Sequence, residues 1–138
     1  MSSYGLRVLE AGECSDALAS QRVGRIALCL DHPVILPVVY GLLDGEVVFR
    51  TAPGEKLIAA ALHRTVAFET DAYDADAGTG WSVDVVGTAE EIINPNDLAR
   101  ARALDLPAWA GELRDRFVRI RTVEVTGRAI DPGAEHSP

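Results

Sequence analysis

Arg50, Thr51 and Lys56 fall within one stretch of seven residues, on either side of Ala52-Pro53-Gly54. A strand ending at Arg50-Thr51, a Pro-Gly break and a helix opening at Lys56 would gather two cations and a hydroxyl around backbone N–H groups that lack helical partners. Lysine in a first helical turn opposes the helix dipole, and a neighbouring arginine adds repulsion. Both costs vanish if a phosphate sits between the cations. Lys56 is also the one lysine among 13 basic residues, the other 12 being Arg. An arginine-favouring composition explains the rarity of lysine but not the position of this one. The same residues also suit a wet surface on which Lys56 pairs with Glu55 or Asp44, and local charge leaves both readings open.

Other chemistry-bearing residues form no such group. His32, His63 and His136 are scattered at spacings that suit no metal, and His63 is placed as a helix-terminal residue. Cys14, on an apolar helix face, and Cys29, in a strand, read as small core residues. Glu69, Asp71, Asp74 and Asp76 lack the spacing of a calcium loop and read as a solvated acidic loop. Gly78-Thr79-Gly80 carries neither a phosphate-loop ending nor a dinucleotide fingerprint, and Ser15, Ser20 and Ser82 sit in no nucleophile context. No catalytic side chain and no metal site is expected. What remains is the phosphate cradle together with flat apolar and aromatic surface at Pro37-Val38-Val39-Tyr40, Trp81 and Trp109. That pairing suits a bound organic cofactor that brings its own chemistry.

The elements that must position these residues follow from pattern. Helices are expected at Glu10–Gln21, Glu55–His63 and from Asn94 to about Leu104, where Asn94 caps and Pro95 suits the first helical position. Strands are expected at Val23–Leu30, Val34–Leu43, Glu46–Thr51, Thr65–Asp71, Trp81–Ile93 and Phe117–Ile130. Val34–Leu43 is apolar enough to be buried on both faces, with Pro37 marking a bulge, an edge or a neighbour that is not a strand. Asp44-Gly45 signals a hairpin, Gly87 a bend or bulge, and Tyr73–Gly80 a loop. Residues 1–9 and 131–138 read as loose tails.

The 138 residues make one domain, 48% apolar and 25% charged, with room for a core. A net charge of −8 argues against nucleic acid and anionic membranes as partners. No apolar run reaches membrane-spanning length. Met1-Ser2-Ser3-Tyr4-Gly5 does not open a signal peptide, and two cysteines make no disulfide scaffold, so a reducing cytoplasm is the expected location. Antiparallel strands joined by short helices point to a mainly β fold, a small antiparallel barrel whose closure removes exposed edges.

Read in order, Val23-Gly24-Arg25-Ile26-Ala27, Pro33 to Tyr40, Asp44-Gly45-Glu46, Phe49-Arg50-Thr51, Gly54-Glu55-Lys56-Leu57, Gly80-Trp81-Ser82-Val83, Phe117-Val118-Arg119-Ile120 and Val125-Thr126-Gly127-Arg128 resemble the pyridoxamine 5′-phosphate oxidase-like, FMN-binding split-barrel proteins, especially small actinobacterial members. The resemblance runs from about Glu10 to Ile130. It implies a six-stranded antiparallel split barrel, a homodimer, and FMN in grooves at the dimer interface. By position, Arg50, Thr51 and Lys56 resemble phosphate and ribityl contacts, Pro37 and Val38 the strand facing the isoalloxazine ring, and Trp81 a wall supplied by the partner subunit. Thr126-Gly127-Arg128-Ala129 stands where the true oxidases carry a substrate-gripping histidine, which argues against vitamin B6 oxidation. The implied activity is a flavin-dependent oxidoreductase acting on a small molecule. Flavin binding without turnover and a deazaflavin-dependent reductase are the alternatives.

Overall fold

The computed structural model describes residues 5–51, 55–107 and 116–131. In chain order the elements are β1 (Leu6–Val8), α1 (Ala11–Ala19), β2 (Val23–Cys29), β3 (Pro33–Leu43), β4 (Glu46–Thr51), α2 (Lys56–Ala61), β5 (Thr65–Asp74), β6 (Thr79–Glu91), α3 (Pro95–Arg102) and β7 (Arg116–Ile130). The sheet runs β1-β7-β4-β3-β2-β5-β6, every pairing is antiparallel, and β6 pairs back onto β7. Six strands therefore close into a barrel, and β1 hangs on the outer end of β7. No helix among the described residues is long and apolar enough to cross a membrane.

Local chemistry accounts for the connections. Asp44 and Gly45 both take positive φ, 52° and 79°, as a tight hairpin turn requires. Asn94 caps α3 by accepting the N–H groups of Asn96 and Asp97 at 2.9 and 3.2 Å. Glu13 accepts the Glu10 N–H at 2.9 Å at the start of α1 and pairs with Arg7, which ties α1 to β1.

The core has two layers. Inside the barrel, Tyr40 and Phe68 meet edge to face at 4.8 Å among Ile26, Phe49, Val83 and Ile120, and α1 plugs one end with Cys14 and Leu18. The Tyr40 hydroxyl donates to Leu18 O at 2.6 Å, so the buried phenol is satisfied by the plug itself. Outside, α3 and Leu106 cover Leu43, Val48, Ile92 and Phe117.

Several expectations need correction. Residues 6–8 are not part of a loose tail but a strand paired with Arg128–Ile130. The loop expected over Tyr73–Gly80 shrinks to a turn at 75–78, because β5 and β6 pair out to Asp74 and Thr79. The strand buried on both faces is β4, where Val47, Val48 and Phe49 are all buried. β3 instead exposes Pro33, Ile35 and Pro37 on its outer face. Cys29 lies on the exposed face of β2, while Cys14 is in the core, where burial pushes its thiol pKa up.

Closure between β6 and β7 depends on a bulge. The register shifts between Val86 and Gly87, which pair with Glu124 and Thr122 and leave Val123 unmatched. A Cβ at Gly87 would stand 2.1 Å from the Arg121 carbonyl oxygen, so only glycine lets the two backbones approach. Gly87→Ala is expected to lower stability by about 1–3 kcal/mol, read as a fall in the urea midpoint. An unchanged midpoint would show that the bulge relaxes freely.

Candidate functional site

β3 pairs with β4 only from Tyr40 to Leu43, although it starts at Pro33. Its first seven residues are bonded on the β2 side alone. Tyr40 donates its N–H to Arg22 O on that side. By the period-two alternation of a strand, Val38 and Leu36 turn their backbone groups to β2, while Pro37 turns its own to the open edge. A proline costs nothing there, since no ladder partner asks for its missing N–H. Pro37 thus marks an edge, one of the places the sequence allowed.

Beyond Phe49, β4 follows β7 instead, with Arg50 opposite Phe117 and Thr51 opposite Arg116. The sheet splits here, and a cleft of about 180 Å³ opens between Leu36, Pro37 and Val38 on one side and Phe49, Arg50 and Thr51 on the other, with Glu55 and Ile58 of the α2 region at one end. The walls are apolar and one rim is cationic. Arg50 is held in place, because its Nη1 donates to Leu106 O at 2.9 Å and its guanidinium lies 5.3 Å from the centroid of the Phe117 ring. Thr51 is buried. Behind it Arg116 stands 3.9 Å from Glu91.

Four residues expected at a cofactor site, Pro37, Val38, Arg50 and Thr51, therefore meet in one cleft. Lys56 opens α2 as expected and is exposed, but it does not line the cleft. Neither wet-surface partner pairs with it. Asp44 binds Arg100 at 3.1 Å, and Glu55 turns its carboxylate to the Leu57 N–H at 3.0 Å. That cap occupies an N–H which the sequence left open for an anion. Trp81 lies elsewhere, in a cavity of about 540 Å³ with Arg7, Leu9 and Glu13. Trp109 lies outside the described residues. Sequence reasoning missed Leu36, Glu55 and Ile58; strand parity with Val38 and the position just before a helix were the available signals.

The four acidic residues do not share a loop. Glu69, Asp71 and Asp74 are on β5, and among the described residues no three His, Cys, Asp or Glu side chains gather to hold a metal. Arg25, directly across from Pro37, bridges Glu69 at 3.0 Å and Asp71 at 2.9 Å on the face behind the open edge. Burial, then hydrogen bonding and repulsion from Asp71, pushes the Glu69 carboxyl from about 4.5 up to about 7. Interaction with Glu69, then with Arg25, in turn holds Asp71 below its usual range, so as pH falls Glu69 is the carboxyl of the two that takes up a proton first.

The sequence pattern of the family described as Pyridoxamine 5′-phosphate oxidase matches residues 10–129. An uncharacterised protein of Mycobacterium tuberculosis is 35% identical over 128 residues, covering 88% of this chain and 84% of that one. Among solved structures, the FAD binding protein from Mycobacterium smegmatis is 37% identical, with a TM-score of 0.81 over 90% of this chain and 99% of that one. A FAD-binding protein from Mesorhizobium loti is 26% identical, with a TM-score of 0.71 over 92% and 99%.

The Glu69 proton sets a pH dependence. A carboxyl with a raised folded pKa contributes stability that is complete below its unfolded value near 4.5 and is lost as pH rises through about 7. Wild type is therefore expected to lose thermal stability between about pH 5 and pH 8 relative to Glu69→Gln. Melting curves that stay parallel for the two proteins across that range would contradict the raised Glu69 pKa.

Proposed function

The chain belongs to the pyridoxamine 5′-phosphate oxidase family, and from that premise we propose that it is an FMN-dependent oxidoreductase acting on a small molecule. The single observation that carries the reading is the split between β3 and β4, which sets an open strand edge and an apolar wall against Arg50 and Thr51. The cleft, at about 180 Å³, is too small to enclose a whole flavin, but its apolar wall and its arginine match a ligand that has a flat apolar ring with polar edges at one part and an anion at another, the remainder being covered by a second copy of the chain. Bound there, the flavin supplies hydride acceptance and donation.

The chain's own part is binding, orientation and exclusion of water. Leu36, Val38 and Phe49 take the ring against apolar surface, and the open edge offers the Pro37 carbonyl to its polar rim. Arg50, pre-aimed by Leu106 and Phe117, faces the phosphate end together with the Thr51 hydroxyl. Lys56 closes on the phosphate from α2, and Glu55 gives up the Leu57 N–H to make room. Trp81 reaches a flavin only from a second copy of the chain, so the reading includes a homodimer. Exposed apolar side chains on the outer faces of β2 and β3, with Val23 at 51% and Ile35 at 68% exposure, are the surface such a dimer covers. The relatives from Mycobacterium smegmatis and Mesorhizobium loti favour a second reading of the cofactor, FAD in place of FMN. Mass spectrometry of the flavin released from purified protein separates the two.

Lys56→Ala is expected to weaken FMN binding roughly ten- to a hundredfold, the worth of a charge-assisted contact, and to leave riboflavin binding unchanged. Paired titrations of FMN and riboflavin against both proteins test this, and an FMN affinity that survives the substitution sinks the role of Lys56. For assembly, sedimentation at micromolar concentration is expected to give about twice the 14.8 kDa chain mass. A species at the chain mass would remove Trp81 from the flavin site.

A further inference from the structure

A third recess, next to the Trp81 cavity, lies on the outer face of the barrel, where β5, β6, β7 and β1 run side by side, with β6 three strands around the sheet from β3. It measures about 380 Å³. Two rows of cross-strand neighbours build it. One row is apolar: Tyr73 faces Gly80, Gly80 faces Ile130, and Ile130 faces Leu6. The next row is polar: Asp71 faces Ser82, and Ser82 faces Arg128.

The apolar row is unusually bare. Tyr73 is 67% exposed, Leu6 51% and Ile130 40%. The ring of Tyr73 leans over Gly80, where a Cβ would stand 2.8 Å from Tyr73 Cδ1. Glycine thus leaves room for the ring beside β6, and most of Tyr73 stays open to an aromatic ligand that could stack on it. In the polar row, Arg128 forms no ion pair and the Ser82 hydroxyl no side-chain hydrogen bond among the described residues. Asp71 does not answer Arg128, because its carboxylate is held by Arg25 at 2.9 Å. The rows are two residues apart, about 7 Å.

We propose that this recess binds an arylalkanoate, its ring stacked on Tyr73 between Leu6 and Ile130 and its carboxylate on Arg128 and Ser82. The spacing asks for a short linker between ring and carboxylate, and the unpaired guanidinium asks for an anion. No residue in it lines the β3–β4 cleft, but Trp81, which the flavin reading brings to a partner's cleft, also lines this recess, so the dimer of that reading and an arylalkanoate compete for this face.

trans-Cinnamate and its neutral analogue cinnamamide test it by two-dimensional amide NMR titration of the whole protein. Cinnamate is expected to shift the amides of Tyr73, Gly80, Ser82 and Ile130 and to bind about tenfold more tightly than cinnamamide. Arg128→Gln is expected to abolish that tenfold preference and leave cinnamamide unchanged. Tyr73→Leu is expected to weaken both ligands. Both positions are exposed, and an unchanged amide spectrum away from the recess shows that each variant keeps the fold. Equal binding of the two ligands, an Arg128→Gln variant that keeps the preference, shifts confined to Leu36–Thr51, or no saturation by about 10 mM would each overturn the proposal. The last outcome includes a face already covered by a second copy.

Discussion

One short strand lies between two long ones, and most of the structure answers to that mismatch. β4 has six residues, against 11 in β3 and 15 in β7. It covers the end of β3 through Glu46–Phe49 and the start of β7 through Val48–Thr51. Both long strands are left with stretches of edge that carry backbone groups without ladder partners, and such groups must be met by something. On β3 the unpaired edge becomes one wall of the cleft. On β7 the uncovered stretch runs between the end of the β4 pairing at Arg119 and the start of the β1 pairing at Arg128.

The chain meets the β7 edge with single groups in place of a strand. Glu46 accepts the Thr122 N–H at 2.9 Å beside the bulge, and the Leu9 N–H reaches Gly127 O at 2.9 Å. Glu46 also stands 3.8 Å from Arg119 Nε and 3.6 Å from Arg121 Nη1. Arg119 is only 5% exposed, and its other carboxylate contact is Asp97 of α3 at 3.4 Å. A buried guanidinium left without such partners is strongly destabilising, so this group links the hairpin, the bulge and α3 into one unit. Arg100 extends it from Asp97 to Asp44 in the hairpin turn.

The same geometry explains why the cleft is built and not merely present. Arg50 enters it from a residue whose strand partner is Phe117, the ring its guanidinium covers, and Leu106 supplies the acceptor from the segment after α3. A cation fixed in this way loses little freedom when an anion arrives. Across the cleft, Pro37 can neither donate to a ladder nor demand a partner, so the edge stays open without an unsatisfied donor at its centre.

The local signals were legible without a structure. Asp44-Gly45, Asn94-Pro95 and the apolar stripes of α1 and α2 act through neighbours in sequence, and the corresponding elements form within a residue or a few of the expected bounds. The residues of the cleft were legible as types, since an Arg-Thr pair before a Pro-Gly break and a proline inside an apolar strand are oddities wherever they fold. Which of them meet was not legible. Pro37 joins Arg50 because β4 parts from β3 after Phe49 while staying on β7, and Trp81 lies apart from them because its strand pairs with β5 and β7. Likewise, burial of β4 on both faces and exposure of Cys29 and Ile35 depend on where α3 and Leu106 settle. Periodicity tells a strand that it has two sides, but only packing decides which side meets another element and which meets water.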